Sequence, residues 1–208
     1  ILNIADLNQA SVKDGTNDQL AIVSDINLNG GVLQVKGAST ETVDVVLSKK
    51  LTVGVKSEQT FKSVLSETNG DLTIDGGKVS VTGTLEISGG SVNLVSGDLD
   101  VSAAGAKIFT DDKQNFTIED DGYLITTADA LGLTIKNNAL TTEKTKVTAG
   151  DTEVEKEFKG LTNKGGVSIS GLSGSVKTID GLQSKVSDLF FATPAAESAL
   201  VELGDVTV

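Results

Sequence analysis

The sequence predicts an all-β chain wound as a β-solenoid, a three-sided parallel β-helix of about 20 residues per turn, with a short helix near its C-terminal end. A β-sandwich is the alternative. Three observations predict the coil. Between Gly70 and Gly105 an apolar–polar–apolar triplet closed by glycine or serine recurs, in the pairs Leu72/Ile74, Val79/Val81, Leu85/Ile87, Val92/Leu94 and Leu99/Val101. Alternation at period two puts both members of a pair on one face of a strand. The pairs start 7, 6, 7 and 7 residues apart (79−72, 85−79, 92−85, 99−92), which is too short for a crossover helix. Three units sum to 20 residues twice over (92−72, 99−79), which favours the coil over an antiparallel meander with tight turns. Finally, the chain holds 23 glycines but one proline, Pro194. Tight corners need positive φ, and strands need their N–H groups.

Taken in order, residues 1–12 (Ile1, Leu2, Ile4, Leu7, Val12) read as an edge or terminal strand, and Asp14-Gly15-Thr16-Asn17-Asp18 as a turn. Leu20-Ala21-Ile22-Val23, Ile26-Asn27-Leu28, Val32-Leu33-Gln34-Val35, Val43-Asp44-Val45-Val46-Leu47 and Leu51-Thr52-Val53-Gly54-Val55 are strand candidates. The run 60–67 is ambiguous, because Phe61, Val64 and Leu65 also fit one helical turn, although the run is too short to hold a helix alone. After the repeat, clearest over 70–108, Lys107-Ile108-Phe109-Thr110 adds a strand. Phe116-Thr117-Ile118 and Tyr123-Leu124-Ile125 flank an acidic turn, Glu119-Asp120-Asp121-Gly122. Leu131-Gly132-Leu133-Thr134-Ile135 and Ala139-Leu140 continue the strands. Charges then crowd in, and 141–159 reads as an exposed hairpin or edge strand, charged to deter stray pairing. Strand–glycine rhythm returns at Val167-Ser168-Ile169 and Val176-Lys177-Thr178-Ile179-Asp180-Gly181, and Leu182, Val186, Leu189 and Phe190 fall on helical spacing. Thr193-Pro194-Ala195-Ala196-Glu197 carries a helix N-cap, Pro at the first position and an early Glu, with Gly204 as a stop. A helix is therefore expected over 194–203, inside a helix-containing segment 181–204. The whole, 1–208, reads as one elongated β-rich domain.

Composition narrows the function. There is no Cys, His, Met or Trp, and all seventeen cations are lysines. Disulfides and thiolate chemistry are impossible. A Ser–His–Asp arrangement has no base, and zinc lacks the His or Cys that its sites use. A net charge of −12 and the absence of Arg argue against nucleic acid and anionic membranes as partners. No apolar run approaches the roughly 20 residues of a membrane-spanning helix. Acidic pairs such as Asp98/Asp100 are too widespread to mark a glycosidase, which also leans on aromatic platforms that a 3% aromatic chain lacks. The expectation is a protein that is not an enzyme and needs no cofactor, calcium being the one ion to consider. Its candidates are the acidic turns Asp14, Asn17 and Asp18, and Glu119, Asp120 and Asp121. Neither matches the EF-hand loop, and solvated turns are the expected reading. Phe190 and Phe191 read first as core, second as an intersubunit contact.

The units Gly-Asp-Leu-Thr-Ile-Asp-Gly-Gly at 70–77 and Leu-Glu-Ile-Ser-Gly-Gly at 85–90 resemble those of bacterial surface proteins with β-strand repeats, the haemagglutinin-like β-solenoid adhesins. The resemblance covers 70–108 and, loosely, 20–60 and 160–180. It implies an extracellular, cell-surface, non-catalytic role as a structural or adhesive module or fibre subunit. The first residues (Ile1, Leu2, Ile4, Leu7) and the last (Val206, Thr207, Val208) both look like strands. That reads as a processed chain or a piece of a longer one, able to pair head to tail with a neighbour through its terminal strand. A glycan or host receptor is the partner expected of an adhesive role. A carbohydrate-binding module and a calcium-stabilised surface-layer domain are the alternatives.

Overall fold

A computed structural model describes residues 2–3, 12–13, 19–31, 33–34, 43–176, 180–191, 200–204 and 206–207. It is a parallel β-solenoid whose coils present three walls. The first wall stacks Ile26–Leu28, Lys50–Gly54, the starts of Asp71–Val81, Ser91–Val101 and Phe116–Thr127, and then Thr162–Asn163. The second stacks Glu58–Phe61, the later halves of the same three long strands, Gly166–Ser170 and Leu200–Leu203. The third stacks Gln19–Ile22, Asp44–Leu47, Ser63–Ser66, Thr84–Ile87 and Lys107–Phe109. Between them the walls complete about four turns.

Register explains the core. Leu51, Leu72, Val92 and Phe116 align from coil to coil on the first wall. Val79, Leu99, Leu124 and Val167 align on the second, and Leu20, Val45, Val64, Leu85 and Ile108 on the third. Each of these side chains is at most 1% exposed. Burying one aliphatic side chain contributes about 1.5–3 kcal/mol, so the columns are what hold the coil shut. Aliphatic side chains fill the columns apart from Phe116, and the β-branched ones among them suit the pleat.

Several readings need correction, and the one left open over 60–67 is decided. The triplets at 72–74 and 79–81 are not separate strands: Asp71–Val81 runs on through the corner, because Gly77 stays in register with Gly97 and Gly97 with Gly122. Glu119, Asp120 and Asp121 likewise sit inside Phe116–Thr127 at its bend, not in a free turn. The run is two strands, Glu58–Phe61 and Ser63–Ser66, and the corner at Lys62 resets the alternation so that Phe61 and Val64 face inward and Leu65 outward. The helix expected over 194–203 fails where it is described. Leu200–Leu203 is a strand, in parallel register with 166–169, and the rest of that range lies outside the described residues. Val201 and Leu203 pack onto the core beside Val167 and Ile169, and this tertiary pairing overrides the local helix signal.

The helix is one step earlier. α2 (Asp180–Phe190) takes the residues at helical spacing, and Asp180 and Gly181, read as the end of a strand, open it. Phe190 is fully buried and tilted against Phe158, ring centroids 5.7 Å apart. A second, four-residue helix, α1 (Ala128–Leu131), claims Leu131 from the expected strand. Thr127 caps its start and Gly132, at φ +63°, its end. After α1 the chain leaves the coil for two antiparallel hairpins. The first joins Leu133–Lys136 to Ala139–Thr142, turning on Asn137 and Asn138 at positive φ. The second, charged hairpin joins Thr145–Ala149 to Thr152–Lys156. α1 lies against the edge strand Lys107–Phe109, with Lys107 Nζ on the Asp129 carbonyl (2.9 Å). The carbonyl of Leu189 accepts the Leu161 N–H (2.7 Å) beside the first wall. Helices thus flank two of the three sheet ends, a recognised way of blunting an edge.

Candidate functional site

The third wall has an outer surface, and the charged hairpin folds over part of it. Outward positions along the wall are Asp44 beside Ser63, then Thr84 beside Lys107. The neighbouring outward column is Ala21, Val46, Leu65, Glu86 and Phe109. Between wall and hairpin runs a groove of about 400 Å3, lined by Glu86, Phe109, Asp111, Lys144, Glu155 and Lys156 among others. A second groove of about 370 Å3 opens beside Asp44, Thr84, Phe109 and Val147.

The hairpin's own side chains are exposed or half-buried throughout. Its tie to the wall is Lys156, whose Nζ meets both carboxylate oxygens of Glu86 at 2.6 Å, with both side chains about four-fifths buried or nearly so (25% and 20% exposed). Lys144 pairs with Glu155 (3.4 Å) and Lys146 with Glu153 (3.5 Å) within the hairpin. On the wall, Asp44 accepts from Ser63 Oγ (2.6 Å) and from Lys62 Nζ (3.3 Å). These amines, carboxylates and hydroxyls already satisfy one another. Replacing Glu86 by Gln leaves Lys156 without its counter-charge. Amide hydrogen exchange across 145–156 is expected to quicken about tenfold while global stability changes by less than about 1 kcal/mol. Unchanged exchange would mean that the hairpin is held some other way.

No family model, no curated protein and no solved structure matches this chain.

Asp111 closes one end of the larger groove. Its carboxylate accepts the Gly89 N–H (2.6 Å), the Asp112 N–H (2.9 Å) and the Asn115 amide (3.0 Å). Burial pulls the carboxyl up, but the hydrogen bonds from Asn115, Gly89 and its neighbours together outweigh it, and the group sits below the ordinary carboxylate value. A depressed folded value means stability that is complete above the ordinary carboxylate range and lost as pH falls through the folded value. Asp111→Asn should therefore melt lower than the parent at neutral pH, by no more than about 1 kcal/mol. The two should converge under acid. A gap that persists in acid would assign the loss to packing.

The residues singled out from sequence are placed as follows. Glu119 is engaged by Lys164 at 2.8 Å, and this hydrogen bond, then the carboxylate's charge, holds the Lys164 amine above its ordinary value. Glu119 is half-buried, and Asp120 and Asp121 are both exposed at the bend. Among the described residues no three acidic side chains converge as a metal site would. Asp14, Asn17 and Asp18 lie outside the described residues. Leu2 belongs to a short strand, Leu2–Asn3, paired in parallel with Leu33–Gln34 of the same chain; Ile1, Ile4 and Leu7 lie outside the described residues. Phe190 faces inward and its ring is used up on Phe158, so the contact reading fails for it; Phe191 is partly buried against the core. Tyr123 lies over Gly166, where a Cβ would come within 2.4 Å of the ring, and its hydroxyl donates to Glu202 (2.9 Å). The Glu86–Lys156 pair was not legible in the sequence. Glu86 looked like any outward repeat position, and its partner lies seventy residues on.

Proposed function

We propose that this chain is a non-catalytic structural and adhesive module of a bacterial cell-surface or extracellular fibre protein, self-associating through sheet edges. One observation carries the reading. On the second wall Leu200–Leu203 pairs with Gly166–Ser170 on one side, and its other edge has no strand partner among the described residues. The third-wall edge is flanked by α1, and the first-wall end lies beside α2. An unpaired edge on an otherwise blunted end is a template for one added strand. The N-terminal strand supports less than its sequence suggested, since Leu2–Asn3 is already paired within the chain. The stacked aliphatic columns supply the rigidity that a load-bearing rod needs. Sedimentation across a wide concentration range, with negative-stain microscopy of the same samples, tests the proposal. Head-to-tail polymers growing with concentration are expected. Monodisperse monomers at the highest concentration would overturn it.

A further inference from the structure

The chain contains two Asn–Gly pairs, Asn29-Gly30 and Asn69-Gly70, and the fold places them in opposite environments. Both stand at coil corners. Asn29 and Gly30 are exposed, and Gly30 has φ +74°. A Cβ built on Gly30 would meet nothing closer than Lys56 Cβ at 3.9 Å, and one on Gly31 would meet nothing within 4 Å. Among the described residues no backbone acceptor takes the Gly30 N–H. Gly70, by contrast, is buried, and its N–H is donated to the Glu67 carbonyl at 2.7 Å. A Cβ there would fall 2.1 Å from the Leu47 carbonyl oxygen of the coil below.

We infer that Asn29-Gly30 is a site of spontaneous backbone modification and that Asn69-Gly70 is shielded from it by the fold. The chemistry needs only water. The Gly30 amide nitrogen gives its proton to solvent base and attacks Asn29 Cγ. A C–N bond forms, the side-chain amide leaves as ammonia, and a five-membered succinimide results. Water then opens the ring at either carbonyl. The product is aspartate, or isoaspartate with the chain routed through the former side chain. In sum, amide and water become acid and ammonia. The attacking nitrogen must be free, and the ring must have room to close. Asn29-Gly30 offers both, whereas Gly70 has its N–H committed and a neighbouring carbonyl against its Cα. The outcome adds a negative charge at a corner beside Lys56. Where isoaspartate forms, it also adds a backbone methylene next to Gly54, against which the Asn29 side chain rests.

The test is to hold the full folded chain in warm, mildly alkaline buffer, digest it at lysine and locate by fragmentation the mass gain of replacing NH2 by OH. A parallel sample is kept in guanidinium chloride. Because a shielded site reacts only when it opens, conversion at Asn29 should run at least about tenfold faster than at Asn69 in the folded chain. In denaturant the two rates should converge. Equal rates in the folded chain, or no conversion at Asn29 while the denatured control reacts, would overturn the assignment.

Discussion

Gly97→Ala is expected to cost roughly 2–5 kcal/mol of folding stability, read as a shift in the urea midpoint with an unchanged slope. Two causes add. Gly97 sits at φ +88°, where an L side chain is strained by about 1–2 kcal/mol. A Cβ there would also lie 2.2 Å from the Gly77 carbonyl oxygen of the adjoining coil. That oxygen is backbone, pinned in register, so relief requires parting two coils, an overpacking cost of about 1–3 kcal/mol. Gly105→Ala separates the causes: its φ is +81°, yet a Cβ meets nothing within 4 Å. It should show the strain alone. Equal losses at 97 and 105 would mean that the coils are not in tight contact at this corner.

Phe116→Ala carries the other large expected loss, about 3–5 kcal/mol. The ring is fully buried and continues the column of Leu51, Leu72 and Val92. Its removal leaves a void among aliphatic side chains that backbone pairing keeps from collapsing. Val55→Ala, at a position 60% exposed, should stay within about 0.5 kcal/mol under the same denaturation. A small loss at Phe116 would show that the column can close over the gap.

The coil was legible in the sequence for a physical reason. Strand period and coil length are both local properties, so pairs such as Val79/Val81 and the 20-residue sum announce them directly. Where polar residues do apolar residues' work the alternation misleads. Ser66 stands in register between Leu47 and Ile87 and is fully buried. It is satisfied by donating to the Gly70 carbonyl and accepting the Ser91 N–H, both at 3.0 Å. Gln59, in register below Val79, reaches the Gly31 carbonyl and the Leu33 N–H of the preceding segment. Thr126 binds the Val101 carbonyl. Apart from the Ser66–Gly70 bond, which closes over four residues, these bonds join partners 25 to 28 residues apart, and no short window of sequence contains both. The groove was illegible on the same ground, since wall and hairpin meet only through the fold. Leu200–Leu203 was misread because a strong local start signal precedes it, while the strand it pairs with lies more than thirty residues earlier.

The stacking of parallel coils also decides how the chain would yield under tension. Bonds between coils point along the stacking direction, so a pull in that direction opens them in sequence, as a zipper does. Each ordinary coil set free would pay out its 20-residue contour, as between Leu72 and Val92, or roughly 70 Å of fully extended chain. The coil between Leu124 and Val167, swollen to 43 residues by α1 and the hairpins, would pay out about twice that length in a single event.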